Sequence, residues 1–144
     1  MERARVLNGV FPDWDVGAPS PMTLASEHVV RLAYFMADGQ VAVVTFDHCF
    51  EHRMGMPDEN GVSRHPLGRL GLTEYEAHQV DDSSWLRTLE DRYGVISDYT
   101  RDGRRYEHYV LLFHDRCFEC VASGYLVRIY ACGSVLDALR LSVA

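Results

Sequence analysis

A chain of 144 residues with 47% apolar and 24% charged side chains and a net charge of −7 is one domain's worth of sequence. Its core needs no disulfide or metal staple. The acid excess, with no basic stripe, excludes nucleic acid and anionic membrane as expected partners. All 14 basic residues are arginine, so the chain offers no Schiff-base lysine, lysine general base or P-loop lysine.

Residues 1–27 are punctuated by Pro12, Gly17, Pro19 and Pro21 and read as an irregular lead-in, with one short strand at 5–10 and with Phe11 and Trp14 pinning it to the body. The first residues carry early acids and no continuous apolar run, and no stretch of about 18 apolar residues follows, so neither a signal peptide nor a membrane span is read. The expected location is cytoplasmic, and Cys49, Cys117, Cys120 and Cys132 are expected as reduced thiols.

Two apolar runs flank Asp38-Gly39, a hairpin signal. A two-residue turn there sets Met36 against Val41, Tyr34 against Val43 and Phe35 against Ala42. Both faces are apolar, which predicts a central position in the sheet. Residues 51–72 carry six Gly and Pro residues and read as a long loop, of a length that is often functional. Residues 73–80 read as an edge strand. Ser83-Ser84 then caps a short helix through Trp85, Leu86 and Leu89 that stops at Gly94. A polar connection, 97–106, contains the turn dipeptide Asp102-Gly103. A second short helix is capped by Ser134 and carries Val135, Leu136 and Leu139 on one face.

Between them, residues 108–130 read as a three-stranded antiparallel meander turning at Asp115-Arg116 and Ser123-Gly124. In this register Glu119 faces Arg128, Cys117 faces Tyr130 and His114 faces Cys117. One face is a clean core, Tyr109, Leu111, Phe113, Phe118 and Cys120. The other has Val110, Leu112, Val121 and Leu126 as an apolar floor and His114, Cys117, Glu119, Arg128 and Tyr130 at its polar end. That is either a ligand pocket or a solvated cross-strand ladder. Cys117 and Cys120 point to opposite faces, so they form neither a redox pair nor half of a zinc site. His48 and His52, with Asp47 and His65, form a second cluster. Four residues along one strand put His48 and His52 about 13 Å apart, too far to share a metal.

The expected fold is α+β: a mainly antiparallel roll or half-open barrel of about five to seven strands with two short helices, in a single domain spanning 1–144. The blocks Arg64-His65-Pro66-Leu67 with Gly68 and Gly71, Ser83-Ser84-Trp85 with Leu89-Glu90, and Phe113-His114-Asp115 with Phe118-Glu119-Cys120-Val121 resemble, in that order, a family of small bacterial proteins of unknown function. The resemblance implies that the blocks share one domain and brings no activity or catalytic residues with it.

Two functions are expected from these residues. One is a pocket for an organic small molecule, in its catalytic version a cofactor-free acid/base cyclase, isomerase or lyase of specialised metabolism. His114, Glu119, Tyr130 and Cys117 would do the chemistry, and Arg128, Arg69 and His65 would hold substrate, with no metal. The other is a non-catalytic acidic module that binds a protein partner, of the immunity or regulatory type, or a second copy of itself.

Overall fold

A computed structural model describes residues 1–18, 20–55, 59–94, 105–114 and 116–144, and of Glu59 and Asn60 only the backbone. Most of the polar connection 97–106, with its Asp102-Gly103 turn, lies outside the described residues, as does Asp115. Among those described, nine strands and two α-helices form two antiparallel sheets that do not close into a barrel. The fold is thus α+β and mainly antiparallel.

The four-stranded sheet has the order β2 (Met22–Ala25), β3 (Val29–Phe35), β4 (Val41–Asp47), β9 (Gly124–Tyr130). The five-stranded sheet has the order β1 (Arg3–Val6), β6 (Ala77–Asp81), β7 (Glu107–Leu112), β8 (Cys117–Ala122), β5 (Glu51–Gly55). The lead-in therefore contributes two strands, and Phe11 and Trp14 are indeed buried in the core. Strands β3 and β4 are interior to their sheet, as their two apolar faces predict. Strand β6 is interior too, rather than an edge, because β1 pairs along its other side.

The β3–β4 loop has three residues rather than two. Met36 closes it by donating its N–H to the Gln40 carbonyl at 2.7 Å, and Gly39 takes φ +86°. Three-residue hairpin loops use a left-handed residue in this way. The added residue shifts the register by one, so that Phe35 faces Val41 and Ala33 faces Val43.

The larger correction concerns β8 and β9. They do not pair. Both edges of β8 are taken, by β7 and by β5, and β9 crosses to the other sheet to pair with β4. Strand β5 forms from residues 51–55, inside the stretch read as a loop. The pairs β4/β9 and β5/β8 are one long ribbon bent at a corner. Asp47 faces Gly124 and Glu51 faces Val121, so three residues (48–50) stand against two (122–123). One extra residue on one strand is a β-bulge, and such bulges let a strand turn from one sheet to the next. His48 sits at the bend with φ +48°. Ser123 fastens it, donating its N–H to the Asp47 carbonyl at 3.0 Å.

The two sheets bury their facing sides against each other. Leu32, Tyr34, Val44 and Phe46 meet Tyr109, Leu111, Phe118 and Cys120, all at most 4% exposed; burying a side chain of this size contributes about 1.5–3 kcal/mol. Helix α2 (Val135–Val143), capped by Ser134 as predicted, covers the outer face of the four-stranded sheet through Val135, Ala138 and Leu139. The outer face of the five-stranded sheet has two covers. One is the segment from a 3-10 turn (Glu59–Arg64) to Leu72, which lays Val62 and Leu67 over Val110, Leu112 and Cys117. The other is helix α1 (Ser84–Tyr93), whose Leu89 packs on Val121 and Tyr106. Ser83 is its N-cap and Gly94, at φ +65°, its left-handed C-cap, both as the sequence indicates. Among the described residues no helix is long and apolar enough to cross a membrane.

Candidate functional site

The outer face of the five-stranded sheet carries a charge it cannot leave in water. Glu119, on β8, is 4% exposed. Its neighbours on the same face, Val110 and Cys117, are buried too, so the carboxylate must find its partners inside the protein. It finds three. His108, on β7, bonds Oε1 through Nε2 at 2.9 Å. His65, at the end of the 3-10 turn, bonds Oε2 through Nε2 at 2.9 Å. Arg53, directly opposite on β5, donates Nε to Oε2 at 3.2 Å. Burial by itself would raise the carboxyl pKa. The hydrogen bonds from His108 and His65 and the charge of Arg53 outweigh that and hold it well below the usual carboxylate range. Glu119 is an ionised group at neutral pH.

The far nitrogen of His65 fixes its tautomer. Leu67 donates its backbone N–H to His65 Nδ1 at 3.0 Å. An amide can only donate there, so Nδ1 is bare and Nε2 holds the proton given to Glu119. His108 Nδ1 lies 2.8 Å from Ser83 Oγ, and Ser83 Oγ already accepts the Leu86 N–H at 3.1 Å. An ionised carboxylate can only accept, so His108 Nε2 holds the proton given to Glu119, while the Ser83 hydroxyl can either donate to His108 Nδ1 or accept from it. His65 is thus a neutral imidazole, and one guanidinium stands against one carboxylate. His78, a third buried histidine, plays a separate part. Its Nε2 accepts the Thr73 N–H at 2.9 Å, which ties the returning segment to β6, and burial lowers its pKa so that it stays neutral.

This cluster forms the floor of a cleft of about 200 Å³ between helix α1 and the 65–67 segment. Trp85, Pro66 and Leu67 give it apolar walls, and Arg53 and Glu2 give it charge. The Arg53 guanidinium lies over the Trp85 ring at 4.2 Å, a cation–π contact. Trp85 is edge-on to His108 at 5.0 Å, and its indole N–H donates to Glu51 at 3.3 Å. Glu2 accepts from the Ser84 backbone N–H at 2.6 Å and from its hydroxyl at 2.8 Å. A second depression, of about 280 Å³, is walled by Asn8, Asp13, Tyr75 and Glu76 and has no buried ionised group at its floor.

Of the residues singled out from sequence, the structure brings together Glu119, His65 and Cys117. It leaves four elsewhere. Arg128 is exposed on β9, opposite Val43 in the other sheet. Tyr130 ends the same strand and packs toward α2. His114 lies in the β7–β8 turn beside Tyr75, at 6.5 Å ring to ring. Arg69 is exposed on the loop and is not on the cleft wall. The Glu119–Arg128 pairing fails because β5 occupies the edge of β8 that β9 was assigned, and Arg53 takes the place given to Arg128. The second cluster also disperses: His48 contacts Ser123 Oγ at 3.2 Å and His52 stacks on Phe118, while His65 goes to Glu119.

The sequence reading passed over His108, Arg53, Ser83 and Trp85 as parts of a site. His108 had a signal, since it shares the period-two face with Val110, Leu112 and Glu119. Arg53 had little, because its strand is five residues long and mostly polar.

His65 Nε2, Cys117 Sγ and a Glu119 oxygen lie within 4.8 Å of one another, close enough to share a cation. Their chemistry opposes it. The Leu67 N–H leaves the proton on His65 Nε2, where a metal would need a lone pair. Burial, with the Glu119 charge beside it, pushes the Cys117 thiol up to about 12, so it is neither a ready ligand nor an activated nucleophile. Cys120 faces the opposite side, in the core between the sheets.

Three separate stretches of the sequence converge here: His65 and Leu67 from one, Ser83 and Trp85 from another, Glu119 from the third. No family model, curated protein or solved structure matches the chain.

Proposed function

We propose that the cleft between α1 and the 65–67 segment binds a small organic molecule. The observation that supports this reading most is an ionised carboxylate, buried and fully hydrogen-bonded, at the floor of an open cleft with apolar walls. Burying a charge is costly even when it is paired, and perturbed ionisable groups in clefts concentrate at functional sites.

The catalytic version is cofactor-free proton transfer, as in an isomerase, lyase or cyclase. Here the proton-transfer group is His108. Its Nδ1 faces a hydroxyl, which both gives and accepts hydrogen bonds, so this ring can take up and release a second proton there while Nε2 stays bonded to Glu119; His65, facing an amide N–H, is fixed. Glu119 orients the two rings and stabilises an imidazolium rather than acting as the base itself. The test is a fragment screen by NMR on the Trp85 indole N–H and the imidazole signals of His65 and His108. Ligands should perturb these signals in the wild type and not in Thr88→Trp, which fills the cleft mouth from an exposed helix position. Fragments that bind elsewhere, or bind Thr88→Trp equally well, would overturn the reading.

A second reading rests on a different feature. Strand β9 is an outer strand that leaves Leu126 and Ile129 each 50% exposed, and exposed apolar edges recruit further strands. An acidic protein-binding module would use this edge. Recovery of a stoichiometric partner that is lost in Leu126→Asp favours this alternative.

A further inference from the structure

Resting on the reading of the cleft as a binding site, we infer that its ligand is a small monocarboxylate with an apolar body, held end-on by Arg53. The guanidinium is fixed on three sides. Its strand position is directly opposite Glu119, its Nε is committed to that carboxylate at 3.2 Å, and its central carbon lies over the Trp85 ring. Its two terminal amino groups meet no acceptor among the described residues, and the side chain is 55% exposed at the cleft. A planar fork already held in place loses little freedom on binding and matches the two coplanar oxygens of a carboxylate.

The surrounding charges narrow the class. Arg53 is the one cation on the cleft wall among the described residues, and it already faces Glu119. Glu2 adds a second negative charge to the wall. The cost of stripping water from an anion grows with the square of its charge, while its attraction to one guanidinium grows only in proportion, so a dianion such as phosphate is disfavoured relative to a single negative charge. The walls of Trp85, Pro66 and Leu67 then suit an apolar body, and about 200 Å³ limits its size to the small end of ligand cavities.

The probes are benzoate, benzamide and inorganic phosphate, titrated into the full chain and followed by calorimetry and by the Trp85 and His108 NMR signals. Benzoate should bind at least about tenfold more tightly than benzamide, as expected for hydrogen bonds to a charged group. Arg53→Gln should weaken benzoate about 10- to 100-fold on the same basis. Arg53→Lys, which keeps the charge but not the fork, should recover only part of that, and Arg128→Gln should change nothing. Far-UV circular dichroism checks that each variant is folded. Benzamide or phosphate binding as well as benzoate, or Arg53→Gln binding benzoate like wild type, overturns the carboxylate assignment and leaves the cleft standing as a site for another class. If no probe moves the cleft signals in folded protein, the assignment falls, and a fragment screen that also finds no ligand there removes the binding site with it.

Discussion

Removing the charge at Glu119 should separate what the carboxylate contributes from what its shape contributes. In Glu119→Ala two buried imidazole N–H groups lose their acceptor, at about 1–3 kcal/mol each. Arg53, with its side chain 55% exposed, turns to water and adds no more than the ~1 kcal/mol of a surface pair. The expected loss is about 3–5 kcal/mol, in line with breaking a buried ion pair from one side. Glu119→Gln should cost less, about 1–2 kcal/mol, because the amide oxygen still accepts one N–H. Its NH₂ must then face the other ring. His65 cannot yield, with the Leu67 N–H behind it, so the NH₂ turns to His108. That ring moves its proton to Nδ1 and donates to Ser83. The Glu119→Gln variant should therefore show His108 as the Nδ1–H tautomer and His65 unchanged by ¹⁵N NMR. The pH dependence has a definite sign. The folded carboxyl titrates below its ordinary value of 4.5, so its contribution is complete above that pH and is lost as pH falls toward the folded value. In urea unfolding, the gap between wild type and Glu119→Gln should narrow between pH 7 and about pH 3. A gap independent of pH, or a Glu119→Ala variant as stable as wild type, would refute the reasoning.

Three further outcomes test the surroundings of the cluster. Ser83→Ala removes a helix cap and should cost about 1 kcal/mol in thermal or urea unfolding, while freeing His108 Nδ1, so that the His108 imidazole shifts change and those of His65 do not. Gly68→Ala places a Cβ 2.3 Å from the Val62 carbonyl oxygen; the segment carrying His65 must move, with a loss of about 1–3 kcal/mol and faster solvent exchange of the His65 Nε2 proton. In folded protein at neutral pH, alkylation followed by mass spectrometry should mark Cys132 and Cys49, which are partly exposed, before Cys117 and Cys120, which react only on unfolding.

Much of this fold was legible because its signals are local. Ser83, Gly94 and Ser134 mark helix ends with side chains and conformations that act within one turn. The alternation in residues 108–122 fixed which side chains face the core whatever the length of the turn, so Cys117 and Glu119 were set on the outer face correctly. What the alternation does not encode is the neighbour. Ser123-Gly124 is equally suited to a tight turn and to a corner, and the choice was decided by residues 51–55, some seventy positions away, which bond to the edge of β8. That is why Glu119 was recognised and its guanidinium misassigned. His65 reached the site by a similar long-range route, carried there by the packing of Val62 and Leu67 on the sheet.

The bulge at 48–50 selects which side chain serves as the cleft's cation. Beyond the bend, successive residues of β5 look alternately into the core and out to the cleft: Met54 packs inward and Arg53 outward. Had the same residues turned the corner with equal numbers on both strands, every later residue would be displaced by one, with His52 brought opposite Glu119 and Arg53 driven toward the space between the sheets. Deleting any one of His48, Cys49 or Phe50 would set two residues against two and straighten the corner while Arg53 kept its place opposite Glu119, so the spare residue is what reconciles the parity of β4 with that of β5.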